Sequence, residues 1–257
     1  MNTHNLITDS LLLPSGGKLY GSNFNGNLNL RCMTTVEERM RLGSTNFYET
    51  MSTIINRCIV DNYKNPDNTY FIDSKAFTDF DFFAVLIKLR IMSYGPKYKT
   101  YAQCTTCNHN FNYTMDLTEL QYNMLPDDFK EPYLIGPLPM SGDTLGCRFL
   151  RIKDYIDNQQ KKKEYMAKNP DEPGDVLYTL EMERRIMTVN NKPLDEVQAH
   201  EYVESMIGLD STYYHSHIDK KSYGVIRLGT TTCPKCGGVG IYNLVYNTEF
   251  FRPSLDD

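Results

Sequence analysis

The sequence has no tryptophan, only five histidines and no surplus of positive charge. Its 27 lysines and arginines face 32 aspartates and glutamates, a net charge of −5. No global field therefore draws the chain to nucleic acid or to an anionic membrane. The run Lys161-Lys162-Lys163 reads as a solvated face. A long apolar run is missing too. The longest greasy stretch, Phe80 to Met92, is interrupted by Asp81, Lys88 and Arg90, well short of the roughly 18 residues that cross a bilayer. Met1-Asn2-Thr3-His4-Asn5 lacks the basic region of a secretion signal, and Leu11-Leu12-Leu13 is too short for its core. The expectation is a protein that is cytosolic where it is made.

Catalytic signatures are equally scarce. Gly16-Gly17-Lys18 is turn chemistry, because a phosphate-cradling loop needs a longer spacing that ends in Gly-Lys-Ser/Thr. His200-Glu201-Tyr202-Val203-Glu204 lacks the second histidine of the His-Glu-x-x-His zinc-protease motif and reads as a helix surface. Asp79 and Asp81 read as helix capping rather than an acid–base pair, and His215-Ser216-His217 as a polar tip. No Ser-His-Asp or Gly-x-Ser-x-Gly arrangement is visible, so no catalytic residue is assigned and no enzyme is expected.

What is present is an ordinary globular composition, 40% hydrophobic and 23% charged, in a chain long enough for one or two domains. Local signals give a coarse α+β order. Asn25-Gly26 can close a hairpin with Leu28-Asn29-Leu30-Arg31 as its second arm. Thr34 with Glu37, and Thr35 with Glu38, are spaced as capping boxes for a short helix that Gly43 stops. Ser44 or Thr45 can cap the next helix, whose core stripe is Phe47, Met51, Ile54, Ile55, Cys58 and Ile59. A third helix from about Thr78 is apolar on two faces, which predicts burial in a domain centre, and Gly95-Pro96 ends it. The segment Phe111 to Leu117 alternates as a strand. Tyr133 to Met140 and Thr144 to Ile152 read as two strands around Ser141-Gly142-Asp143. From Asp154 the pattern is helical, with further helices over Val176–Val189 and Asp195–Ile207 separated by Asn190-Asn191. Gly208 is expected to end the latter, with Asp210 or Ser211 capping a last short helix, and Ile241 to Tyr246 forms a closing strand.

Seven cysteines cannot all pair, which argues against a complete disulfide framework. Cys32, Cys58 and Cys147 stand alone and read as buried free thiols. The other four form Cys104-Thr105-Thr106-Cys107-Asn108-His109 and Cys233-Pro234-Lys235-Cys236-Gly237-Gly238, the shape of two zinc knuckles. Two residues between the cysteines let both thiolates face one ion, and the residue after the second cysteine takes the φ > 0 that the turn needs. Together they predict a closed four-cysteine site of structural zinc with Cys104, Cys107, Cys233 and Cys236 as ligands. Iron in the same shell, two redox dithiols, and His109 in place of a cysteine are the competing readings. The pairs lie 126 positions apart. Closing such a loop costs roughly 4 kcal/mol, against apparent zinc binding of roughly 10–16 kcal/mol. The expected architecture is a discontinuous zinc ribbon joined to helical elements. Residues 1–31 form an N-terminal arm with a hairpin, and 32–120 a helical part with the first half of the ribbon. Residues 121–220 form a mainly helical insertion with some hairpin, and 221–257 the second half of the ribbon with a C-terminal strand.

The order of features resembles a known family. Leu13-Pro14-Ser15-x-Gly17 with Tyr20 precedes a strand holding Leu28, Leu30 and Arg31, and then Met33-Thr34-Thr35-x-Glu37-Glu38. Leu89-Arg90-x-x-Ser93-Tyr94-Gly95 leads to the first knuckle and a strand ending Asp116-Leu117. Cys233-Pro234-x-Cys236-Gly237 leads to Phe250-Phe251-Arg252-Pro253. This order resembles the baseplate hub proteins of T4-like tailed bacteriophages over nearly the whole chain. The resemblance implies a structural, non-catalytic part of the hub of a contractile tail, assembled in the bacterial cytoplasm and located in the virion. Its implied partners are other baseplate and tail hub proteins and further copies of itself. Thr105 and Asn108 stand where the family's knuckles commonly carry proline and glycine, which predicts a looser first turn. Nineteen tyrosines and twelve phenylalanines suit contact surfaces as well as core. The alternative is a zinc-ribbon nucleic-acid-binding factor using Lys97, Lys99, Lys220, Lys221 and Lys235, against which the net charge weighs.

Overall fold

The computed structural model describes residues 6–21, 24–43, 46–62, 71–171, 174–246 and 248–251. In chain order the elements are β1 (Thr8–Leu12), β2 (Asn27–Arg31), α1 (Thr35–Leu42), α2 (Phe47–Cys58), α3 (Asp79–Tyr94), β3 (Lys97–Cys104), β4 (Asn110–Asp116) and β5 (Tyr122–Asn123). Then come β6 (Tyr133–Ile135), β7 (Leu145–Cys147), α4 (Ile152–Lys168), α5 (Leu177–Arg185), β8 (Ile186–Val189) and β9 (Lys192–Pro193). The last are α6 (Glu196–Glu204), α7 (Gly208–Lys220), β10 (Gly224–Val225), β11 (Leu228–Thr232) and β12 (Val239–Asn243). This is a mixed α+β chain that divides into two compact units. One holds Met1–Ser74, Phe80–Met124 and Tyr223–Asp257; the other holds Lys75–Asp79 and Leu125–Ser222.

The first unit is organised around α3, whose Phe80, Phe82, Val85, Leu86, Ile87 and Leu89 are buried all round the helix, as its two apolar faces predict. The same unit buries one face of α2 (Met51, Ile54, Ile55 and Cys58) and the inward residues of β2, Leu28 and Leu30. β1 and β2 pair antiparallel, but through a loop spanning residues 13–26 rather than a tight Asn25-Gly26 turn. Two chain passages cross inside that loop. A Cβ on Gly17 would lie 2.4 Å from the Gly26 nitrogen, and both residues have positive φ. The loop is tied to α3 by Asp81, which accepts from the Ser15 N–H at 2.9 Å and from the Tyr20 hydroxyl. Asp81 is thus a buried latch and not a helix cap.

Two further buried charges hold this unit. Glu37 completes a capping box with Thr34 and also accepts from Arg31 Nη2 and Arg57 Nε, both at 3.0 Å. Burial alone would raise its carboxyl, but the Arg31, Thr34 and Arg57 donors outweigh it and hold the group far below the usual carboxylate range. Arg90 is fully buried and donates to the carbonyls of Phe250, Gly95 and Lys97 at 3.1, 2.7 and 3.1 Å. Its guanidinium therefore joins the end of α3, the start of β3 and the C-terminal turn over Thr248–Phe251. The cap of α2 is Asn46, whose side chain accepts from the Glu49 N–H; Ser44 and Thr45 lie outside the described residues.

The second unit packs α4 to α7 with an antiparallel sheet in the order β6-β7-β8-β9. Three expectations change here. The strands around Ser141-Gly142-Asp143 shrink to β6 and β7, three residues each. The helix expected to Val189 stops at Arg185, and Ile186–Val189 is a strand. The reason lies at Asn190 and Asn191, both at positive φ (50° and 63°), which form the tight turn between β8 and β9 while β8 pairs with β7. Gly208 opens α7 instead of ending α6. Asp210 lies in the first turn of α7, where its buried carboxylate accepts from the N–H groups of Met140 and Ser141 at 2.7 and 3.0 Å.

Of the three lone cysteines, Cys58 and Cys147 are buried, and burial pushes both thiols up to about 12. Cys32 is only half-buried.

Candidate metal centre

The cysteine pairs come from two hairpins of one sheet. Its strand order is β11-β12-β3-β4, so the two hairpins join where β12 pairs with β3, Gly240 opposite Cys104 and Tyr242 opposite Ala102. Each knuckle is the turn of its hairpin, and the two are built alike. The Cys104 N–H donates to the His109 carbonyl and the Asn108 N–H to the Cys104 carbonyl. In the second knuckle the Cys233 N–H donates to the Gly238 carbonyl and the Gly237 N–H to the Cys233 carbonyl. Asn108 (φ +54°) and Gly237 (φ +72°) occupy the same place. Asparagine tolerates this left-handed conformation better than most residues. The looser first turn expected from Asn108 is therefore not observed. Thr105 adds a bond between the knuckles, donating from both its N–H and its hydroxyl to the Val239 carbonyl.

These turns bring four sulfurs together. Cys104 Sγ lies 3.6 Å from Cys236 Sγ and Cys107 Sγ lies 3.9 Å from Cys233 Sγ, with all four within 4.8 Å of one another. A tetrahedral zinc with Zn–S near 2.3 Å places its sulfurs about 3.8 Å apart, so the observed spacing fits such an ion. The N–H groups of Thr106 and Cys107 point at Cys104 Sγ, and that of Gly238 at Cys236 Sγ. The Cys107 N–H leads in drawing the Cys104 thiol down to about 6. At Cys236 the Gly238 N–H pulls the same way, but the sulfurs of Cys107, Cys104 and Cys233 outweigh it and push the thiol up to about 12. Four thiols this close cannot all ionise unless a cation joins them. Cys104 and Cys233 are buried, Cys107 is half-buried and Cys236 exposed.

The other ligand-type residues named from the sequence lie elsewhere. His109 stacks on Phe111 and contributes only its carbonyl to the knuckle. The His217 ring lies on Tyr213 and that of His215 against Tyr178. Among the described residues one further group gathers three such side chains: Glu183, His200 and Glu204. The sequence showed the last two only as a helix surface, because Glu183 arrives from another helix. Of the basic residues in the alternative reading, Lys97 pairs with Asp116 and Lys221 lies over the Tyr133 ring.

A comparison with known families decides the wider identity. The family described as T4 bacteriophage base plate protein matches residues 6–252. The chain belongs to that family. It is thus a component of the phage tail baseplate, with other tail proteins as its partners. Neither the curated proteins nor the solved structures give a significant match. No helix among the described residues is long and apolar enough to cross a membrane. The residues that carried the resemblance prove to be latches of the first unit of this baseplate protein. Ser15 and Tyr20 hold Asp81, Arg31 and Thr34 hold Glu37, the Ser93 hydroxyl accepts from the Met33 N–H, and Arg90 holds the Phe250 carbonyl.

Proposed function

We propose that this chain is a non-catalytic part of the baseplate hub. In this reading a structural zinc on Cys104, Cys107, Cys233 and Cys236 fastens the two halves of a discontinuous ribbon and so shapes one face for a neighbouring hub protein. The carrying observation is the set of four sulfurs at tetrahedral spacing where the β3–β4 and β11–β12 hairpins meet. A closed shell of four thiolates leaves no open position for a substrate, which favours structure over catalysis. The face in question is the outer side of the sheet. There Tyr101, Leu228, Val239 and Ile241 are exposed among threonine, asparagine and glutamine, with Lys97 and Lys99 on the same face at the start of β3. An aromatic and aliphatic centre with only two lysines at its edge, one of them paired with Asp116, suits a protein partner better than a polyanion.

Residues 121–220 form an insertion between the ribbon halves, and 1–31 an arm that the Asp81 and Lys88 contacts keep on its own core. Assembly takes place in the host cytoplasm before the part enters the tail. Co-expression with other baseplate proteins tests the reading, comparing wild type, Cys233→Ser and a chain lacking residues 1–31. Partner capture should fall together with metal content in Cys233→Ser. Equal capture by all three, or capture by none, refutes it. Elemental analysis of the captured complex separates zinc from iron in the same shell.

A further inference from the structure

The helical unit brings a second set of ligand-type side chains together, away from the cysteines. His200 and Glu204 stand four residues apart on α6, which puts them on one face of that helix. Glu183 reaches the same spot from α5, which packs against α6. One ligand atom from each of the three lies within 4.8 Å of the other two, and Glu183 Oε1 is 2.9 Å from His200 Nδ1. The His200–Glu183 hydrogen bond accounts for two of these groups but not for the third. Glu204 brings a second carboxylate to the same imidazole, with Glu201 next in sequence to His200.

We infer that Glu183, His200 and Glu204 form a surface site for a divalent first-row transition ion that pins α5 to α6. The donor set defines the class of ion. One imidazole nitrogen with two carboxylate oxygens suits manganese, iron(II), cobalt, nickel or zinc, whereas calcium and magnesium favour all-oxygen shells. His200 and Glu204 are exposed and the carboxylates sit on flexible stems, so small rotamer changes can bring the three donors onto one ion. Lys161 and Arg184 border the hollow that Glu183 and His200 line. Arg184 is turned to Glu196 at 3.7 Å. Three protein ligands leave positions open to solvent, where water completes the shell. No pocket fit for a substrate is needed for this role, which is that of a clasp between two short helices. The site is separate from the four cysteines in ligands and in elements.

Manganese(II) tests this on the full-length protein with its cysteine site already loaded with zinc. Manganese stands lowest in the divalent affinity order and leaves thiolate-bound zinc in place. In a titration followed by nuclear magnetic resonance, the ring signals of His200 should broaden and vanish at sub-stoichiometric manganese, while those of the other four histidines persist. Glu183→Gln and, separately, Glu204→Gln should each shift that titration by about 10-fold or more, the loss typical of damage to a metal shell. Glu204 is exposed and Glu183 half-buried, and unchanged spectra elsewhere in each variant establish that the fold is intact. The inference is overturned if His200 is unaffected, if all histidines broaden in parallel, or if both variants titrate like wild type. The last result would leave His200 and Glu183 as a surface ion pair only. None of these outcomes bears on the cysteine site, which zinc content reads independently.

Discussion

With the proposed ion on the four cysteines, its removal, either with a chelator under reducing conditions or by Cys233→Ser, should unfasten the β11–β12 hairpin from the β3–β4 hairpin without unfolding the unit around α3. The magnitude follows from the sheet. Without an ion, β12 is held to β3 by three residue pairs and the Thr105–Val239 contacts. At about 1 kcal/mol per hydrogen bond these supply about 3 kcal/mol. The opposing cost is smaller than the 126-residue separation suggests, because β5 and β10 already bring the chain together, Asn123 opposite Gly224. Roughly 28 residues then remain to be closed between that pair and the cysteines, costing about 3 kcal/mol. The two terms nearly cancel, so the join is marginal without metal and secure with the roughly 10–16 kcal/mol an ion contributes. Hydrogen exchange read residue by residue is the assay. Protection at Gln103, Thr105 and Ile241, whose N–H groups face the β12–β3 seam, should collapse towards that of a locally open segment in the metal-free protein. Amides of α2 and α3, in the core that also buries Leu28, Leu30, Phe82 and Leu86, should keep theirs. Unchanged protection across the β12–β3 pairs after complete metal removal would refute the reasoning.

Other perturbations probe the remaining latches. Glu37→Gln leaves two arginines without their carboxylate; since both are partly exposed, the expected loss is about 2 kcal/mol, less than for a fully buried pair, and thermal unfolding measures it. Because the Glu37 carboxyl lies below its unfolded value of 4.5, its contribution is complete above that pH and should be lost as pH falls below it; a wild-type and a Glu37→Gln curve that stay parallel from about pH 7 to about pH 3 would contradict this. Gly17→Ala places a methyl group 2.4 Å from the Gly26 nitrogen at φ +77°, so it should destabilise by at least about 1–2 kcal/mol in urea titrations. Binding to DNA or RNA should be weak and vanish at moderate salt, since Lys97 already pairs with Asp116; sequence-dependent sub-micromolar binding in a filter or fluorescence assay would revive the nucleic-acid reading.

Local chemistry was legible in the chain itself wherever a short stretch carries its own physics. The Thr34–Glu37 box, the stripe of α2, the doubly apolar α3 and the turn at Asn190-Asn191 depend on neighbours within a few residues, and each appears where the pattern places it. The four cysteines were legible for the same reason, since each pair with its turn is a local unit. The stretch just before Asn190-Asn191 was not. Ile186–Val189 has a pattern that suits either helix or strand, and only the neighbouring β7 makes it a strand. Gly208 likewise opens a helix because Asp210 is engaged by the Met140 and Ser141 N–H groups, a contact across 70 positions. The buried roles of Asp81, Glu37 and Arg90 were not legible in the sequence, where the first two read as capping residues, since a buried charge is stable only when its partners are in place. Those partners come from residues 15 and 20, 57, and 250, which only the folded chain assembles. The same holds for Glu183 beside His200 and Glu204. Spacing along a helix shows two ligands on one face, and helix packing alone decides whether a third arrives.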